Sequence, residues 1–183
     1  MKLPLFRRGA RPDTISTLYG TIVAQARLPS FYREFAVADT VNGRFDLLAL
    51  HLMLVLERFS TEPSLRALGQ GLFDRFWQDM DHNLREMGTG DLAVPKRMRA
   101  LGEAYYGRAQ AYREALAAAD AGALTEALAR NVYAGAPADP DAPRRLAGYM
   151  REAVGELAGQ EPARFAEGSL RFPAPTAVLE KPA

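Results

Sequence analysis

The residues from Arg44 to Phe59 constrain the fold more than any other part of the chain. Phe45, Leu47, Leu48, Leu50, Leu52, Met53, Leu54, Val55, Leu56 and Phe59 leave almost no polar face on a helix of that span. Such a helix needs partners all round it, as the central rod of a helical bundle does. It is too short to cross a bilayer, which takes about 20 apolar residues. Its longest apolar run, Leu47 to Leu56, is interrupted by His51 and flanked by Asp46 and Glu57. Its one polar stripe is Arg44, His51 and Arg58, spaced by seven.

The rest of the chain supplies the partners, with helical periodicity nearly throughout. Ile15, Leu18, Tyr19, Ile22 and Ala26 recur at helix spacing after Asp13, a predicted N-cap, and that helix should stop before Pro29. A short turn of helix is expected over 30–35, then a break at Asn42-Gly43. A long helix from Ser64 to Met87 carries one inward stripe from Leu65 to Met87, with Gly88 as its stop. Pro95 sits near the start of the next helix, which runs to about Ala118. Asp120 heads a shorter one ending near Tyr133. The Pro/Ala/Asp-rich segment from Gly135 to Pro143 reads as a mobile insert. A last helix over 143–158 points Leu146, Tyr149, Met150, Val154 and Leu157 inward. The expectation is an all-α, single-domain bundle of six to seven helices, since 183 residues is the length of one domain. Its predicted divisions are an N-terminal arm (1–12), a helical domain (13–160) and a Pro-containing C-terminal tail or surface strap (161–183).

Composition excludes more than it proposes. There is no cysteine, so disulfides, thiolate metal sites and cysteine nucleophiles are out. The formal charge is +1, too small to attract nucleic acid or membrane by net field. All but Lys2, Lys96 and Lys181 of the 23 basic residues are arginine. Genome composition explains that bias most simply; planar recognition of carboxylate or phosphate is the functional alternative. The N-terminal stretch MKLPLFRRGARP has no apolar signal core and is short for a transit peptide, so a cytoplasmic location is expected.

Two histidines bound the metal chemistry. Asp79-x-x-His82, with Glu86 one turn on, resembles half of a di-iron carboxylate motif, but Leu48 stands three residues before His51 where the other half needs a carboxylate. No metal and no cofactor is expected, and no catalytic set is visible. Burial, with Arg44 and Arg58 on its stripe, favours a neutral hydrogen-bonding role for His51. Gly88-Thr89-Gly90-Asp91 lacks the lysine and the preceding strand of a phosphate loop and reads as a helix–helix connection in which Asp91 caps the next helix. Lys96, Arg97 and Arg99 open that helix, where the dipole disfavours positive charge. Such charges point to an outside partner; the bland alternative is solvation, an Arg99–Glu103 pair, and Asp74 and Asp81 lying alongside.

Four segments carry a resemblance to a known family: Leu18 to Arg27, Asp39 to Leu48 with His51, Phe73-Asp74 through Asp79-Met-Asp81, and Leu84-Arg-Glu-Met-Gly-Thr-Gly-Asp-Leu-Ala-Val-Pro-Lys96. They resemble the ubiquinol–cytochrome c chaperone family over about Leu18 to Ala118, most densely from Asp79 to Lys96. The resemblance implies a non-enzymatic, all-helical assembly factor for respiratory complex III that binds newly made cytochrome b. Its mitochondrial members meet that client at the ribosome together with a small partner protein. A bacterial member would meet it at the cytoplasmic face of the inner membrane and touch the membrane through the client. The partner surface is expected at Gly88, Gly90, Asp91, Lys96, Arg97 and Arg99, with Asp74 and Asp81 beside it. The alternative is an RNA- or ribosome-binding module using those cations with Tyr105 or Tyr106. A client surface for a membrane protein should be an exposed apolar patch; which apolar side chains form it is not legible in the sequence.

Overall fold

The computed structural model describes residues 12–178. Among them the helices are α1 (Pro12–Ala26), α2 (Pro29–Arg33), α3 (Val41–Ser60), α4 (Arg66–Glu86), α5 (Val94–Ala117), α6 (Ala123–Asn131), α7 (Ala142–Ala158) and α8 (Pro162–Ala166), with 3-10 turns at Pro63–Leu65 and Pro175–Val178. Six helices are long and α2 and α8 are single turns, so the expected all-α bundle is the fold. The all-apolar helix takes the central place: α3 packs against α1, α4, α5 and α7. Leu47, Leu50, Leu52, Val55 and Phe59 are fully buried along it. Burying each such side chain stabilises the fold by about 1.5–3 kcal/mol relative to exposure.

Local chemistry moves several predicted boundaries. Asn42-Gly43 does not break the chain but lies in the first turn of α3. Thr40 has extended backbone and its Oγ1 accepts from the Gly43 N–H at 3.1 Å, an N-cap that offsets the cost of glycine in a helix. Glycine is needed there: a Cβ on Gly43 would stand 2.0 Å from the Ala38 carbonyl oxygen. Asp13 is not a cap; it sits inside the first turn of α1. Val154, expected inward, faces out on α7 at 40% exposure.

For the segment beyond residue 160 the sequence leaves a tail and a surface strap open. As far as it is described, it packs against the bundle, because it carries apolar side chains that the core can still take. Phe165 of α8 is fully buried against Phe59, ring centroids 5.0 Å apart. Gln160 fixes the strand of chain that follows: its Nε2 donates to the Arg171 carbonyl at 2.9 Å, and its Oε1 accepts from the Arg171 N–H at 2.9 Å. Leu170 is buried. The rest of the predicted tail, and all of the predicted arm but Pro12, lie outside the described residues.

Candidate functional site

Arg44, His51 and Arg58 share a stripe on α3 but no common surroundings. Arg44 is exposed, with its Nε 2.7 Å from Asp39 Oδ1. Arg58 donates from Nε to the Leu157 carbonyl at 3.1 Å and from Nη2 to the Gln160 carbonyl at 3.2 Å. It thereby caps the C-terminal end of α7, where carbonyls lack helical partners. His51 is fully buried. Its Nδ1 lies 2.7 Å from the Leu47 carbonyl, which can only accept, so Nδ1 carries the proton. Nε2 then accepts from the Tyr149 hydroxyl at 2.8 Å. Tyr149 Oη in turn accepts from Gln25 Nε2 at 3.0 Å, and the same amide donates to the Pro173 carbonyl at 3.0 Å. One polar chain thus ties α1, α3, α7 and the C-terminal segment together, and every member is satisfied. Burial depresses the His51 pKa to about 4 and keeps the ring neutral, as expected. The arginines of the stripe are not the cause: Arg44 points to Asp39 and Arg58 to α7.

At the other end of α3 the packing stops short. α1 ends at Ala26 and α4 at Glu86, while α3 starts only at Val41. Between them and α5 lies a groove of about 200 Å³. Ala26, Leu48, Met80 and Leu84 form its buried floor, and Val23, Phe45 and Leu101 its half-buried walls. Val41 and Met87 stand at its mouth, 64% and 53% exposed. Met87 was expected inward; it turns out because it caps the last turn of α4. The rim is polar, with Arg27, Arg44, Asp79 and Asn83. Asp79 is fixed there by the Tyr19 hydroxyl at 2.9 Å, and Asn83 Nδ2 donates to the Asp79 carbonyl at 2.8 Å. Burial first, and then the Asp79 charge, push the Tyr19 pKa far up, so Tyr19 stays a neutral donor. An apolar floor inside a polar rim is what an apolar segment of another molecule would need.

The predicted partner segment borders this groove through Met87. Gly88 has φ +78°, the Thr89 N–H reaches the Leu84 carbonyl at 3.0 Å, and the Gly88 N–H reaches the Arg85 carbonyl at 3.0 Å. That is the Schellman closure, for which glycine supplies the left-handed residue. Asp91 does not cap α5. The turn bonds from Ala93 and Val94 to the Gly90 carbonyl start that helix too far along for Asp91 to reach, and no side chain caps it. Asp91 Oδ1 instead accepts from Arg85 Nη1 at 2.6 Å, and Arg85 Nε holds Asp81 Oδ2 at 2.7 Å. Asp74 lies more than three helical turns back on α4 and accepts from Gln70. Neither acid neutralises the cations of α5. Arg97 Nη1 donates to Thr89 Oγ1 at 3.2 Å. Among the described residues, Lys96 and Arg99 form no ion pair, and the Arg99–Glu103 pair is absent. Leu92 is 99% exposed. Of the tyrosines weighed for RNA stacking, Tyr105 is buried against Phe76 and Trp77, whereas Tyr106 is exposed.

The half-motif for metal has dispersed. His82 Nε2 faces Glu86 at 3.1 Å on the surface, and Asp79 is turned to Tyr19. Among the described residues no group of His, Asp and Glu could hold an ion.

Sequence reasoning passed over Asp46. It is buried on α3, 2.9 Å from Arg108 Nη2, yet its Oδ1 takes no well-aligned hydrogen bond. Burial raises its pKa to about 6, and Arg108 offsets this only in part. Arg108 Nε and the Tyr112 hydroxyl nearby are buried without partners as well. A cavity of about 580 Å³ opens beside the pair, between Ala36–Asp46, α5 and the end of α6. Ala36 and Ala134, with φ of +50° and +51°, both line it. No spacing rule links residues 46 and 108; the one sequence signal was a carboxylate on an otherwise apolar helix.

Comparison with known proteins agrees with this architecture. The family model described as ubiquinol-cytochrome C chaperone matches residues 33–172. A curated relative, ubiquinol-cytochrome-c reductase complex assembly factor 1 from Xenopus laevis, is 25% identical over 138 residues, which is 75% of this chain and 68% of the relative. The crystal structure of the Cbp3 homolog from Brucella abortus superimposes with a TM-score of 0.82 at 41% identity, covering 96% of this chain and 98% of that one. No helix of the described residues is long and apolar enough to cross a membrane.

Proposed function

The chain belongs to the ubiquinol–cytochrome c chaperone family, and on that premise we propose that it is an assembly chaperone for the ubiquinol–cytochrome c reductase complex, with newly made cytochrome b as its client. The observation that carries this reading is the groove: a predominantly apolar floor left open at the end of α3 where α1 and α4 stop. A membrane protein not yet packed into its complex presents apolar helix surface with no partner. The groove covers a short length of such surface and the polar rim orients it. Full burial of an apolar side chain contributes about 1.5–3 kcal/mol. The chain acts by holding; no bond chemistry is required of it.

In this reading Gly88, Gly90 and Asp91 shape the loop that flanks the mouth. Lys96, Arg97 and Arg99 add positive charge to the same face. Asp81 contributes through Arg85, and Asp74 lies too far along α4 to take part. The test is the double substitution Val41→Glu with Met87→Glu. Both side chains are exposed, so the variant should fold and melt like the wild type. Cytochrome b should no longer be recovered with it from detergent extracts, and the assembled complex should fall. A variant that folds normally and recovers cytochrome b at wild-type yield contradicts the reading.

A further inference from the structure

We propose that the α4–α5 loop is a membrane-contacting tip, in which Leu92 enters the interfacial layer of an anionic bilayer while Lys96, Arg97 and Arg99 meet lipid phosphates. The inference goes beyond the client-binding reading and does not depend on it.

A lone exposed leucine needs no explanation; Leu92 is neither alone nor loosely held. It stands 99% exposed between two fixed points. On one side the Schellman closure at Gly88 locks the end of α4, and Arg85 clamps Asp91 at 2.6 Å. On the other side Val94 is buried, 1% exposed, and Pro95 sets the start of α5. The loop therefore presents Leu92 to solvent in a set geometry, with half-exposed Met87 on the same tip.

The charge beside it is also unspent. Asp81 and Asp91 are both held by Arg85, and Glu86 faces His82. Arg97 has only the neutral Thr89 hydroxyl, and Lys96 and Arg99 have no acidic partner among the described residues. Three cations in the first turns of α5 sit against the positive end of its dipole, and Lys96 and Arg99 gain no ion pair among the described residues to offset it. Exposed basic side chains four to seven residues past a projecting apolar one match the layered chemistry of a bilayer interface, with phosphates outside and hydrocarbon within. An RNA partner fits less well: a leucine offers no stacking surface, and the exposed Tyr106 lies almost three turns up α5 from Lys96. A protein partner would find little area on a convex tip, whereas a soft planar surface can close around it.

The test is co-sedimentation of the full chain with protein-free vesicles, either phosphatidylcholine alone or phosphatidylcholine with about a third phosphatidylglycerol. The chain should partition onto the anionic vesicles and come off as salt rises. Lys96→Gln with Arg99→Gln should lower that partition about 25-fold, at roughly fivefold per charge. Leu92→Ser should lower it about tenfold. Both variants should melt like the wild type, since the altered side chains are exposed. Three results would overturn the proposal: no preference for anionic over neutral vesicles, anionic binding that survives both variants, or salt-sensitive binding to single-stranded RNA with none to vesicles. The vesicles carry no protein and cytochrome b capture is read in detergent without a bilayer, so each reading can fail without the other.

Discussion

The two ends of α3 solve the same problem differently. Around His51 the helix is closed on every side: α7, α1 and the C-terminal segment cover it, and its one polar side chain is bonded at both nitrogens. Around Val41 to Leu48 the same helix meets neighbours that end too soon, and apolar side chains are left at an open groove. The groove floor itself, Ala26, Leu48 and Met80, belongs to the same continuous core; of the apolar lining only the mouth at Val41 and Met87 is exposed. The difference teaches that one helix can be fully enclosed along one stretch and leave apolar surface open along another, which is where the proposed binding is placed. Asp46 lies within the open stretch but turns away from the groove to a second cavity, buried but poorly bonded.

The largest effect should come from the closed end. Leu50→Ala, at a site 1% exposed, should cost about 2–5 kcal/mol and lower the melting temperature by roughly 5–15 °C. A cost under about 1 kcal/mol would break the picture of α3 as the central rod. Next is a paired test of the two buried tyrosines. Tyr149→Phe leaves His51 Nε2 without its donor and should cost about 1–3 kcal/mol. Tyr112→Phe removes a hydroxyl that bonds nothing and should cost less than the Tyr149 change. Equal losses in denaturant titrations would erase the contrast between a satisfied and an unsatisfied polar site.

Acid separates the same two sites by sign. His51 has a folded pKa of about 4, below its ordinary value of 6.5. The unfolded state therefore binds more protons between those values, and this contribution to stability is lost as pH falls through them. Asp46 has a folded pKa of about 6, above its ordinary 3.8, so here the folded state binds more protons. Its burial cost is present in full above about pH 6 and fades as pH falls towards 4. Each contribution is on the order of 1–3 kcal/mol across its window. Asp46→Asn removes the compensating one, so its stability should fall more steeply than the wild type's between pH 6 and 4. A shallower fall would mean that one of the two assignments is wrong. The smallest effect belongs to the open end: Val41→Ser with Met87→Ser should change stability by no more than about 0.5 kcal/mol. A larger loss would show that the groove mouth is part of the core.

Much of this fold was legible because helix periodicity is a local signal. The central rod, the six long helices and the stops at Pro29 and Gly88 all follow from neighbours within a few turns. What the sequence hid depends on distance. Tyr149 reaches His51 across 98 residues and Arg108 reaches Asp46 across 62, and no spacing rule carries such pairs. The unneutralised charge at the start of α5 was legible, but the role expected of Asp91 was not, since Arg85 competes for it. The groove was illegible for a further reason. Whether Val41 and Met87 are covered depends on where four helices end relative to one another, and an apolar side chain reads the same in either case.

The open end is tested most directly by amide hydrogen exchange on the chain alone and on the chain bound to detergent-solubilised cytochrome b. New protection should appear over residues 41–48 of α3 and 80–87 at the end of α4, with none over residues 149–158 of α7. Protection gained on α7 or along residues 160–173, with the groove unchanged, would contradict the assignment of binding to the open end.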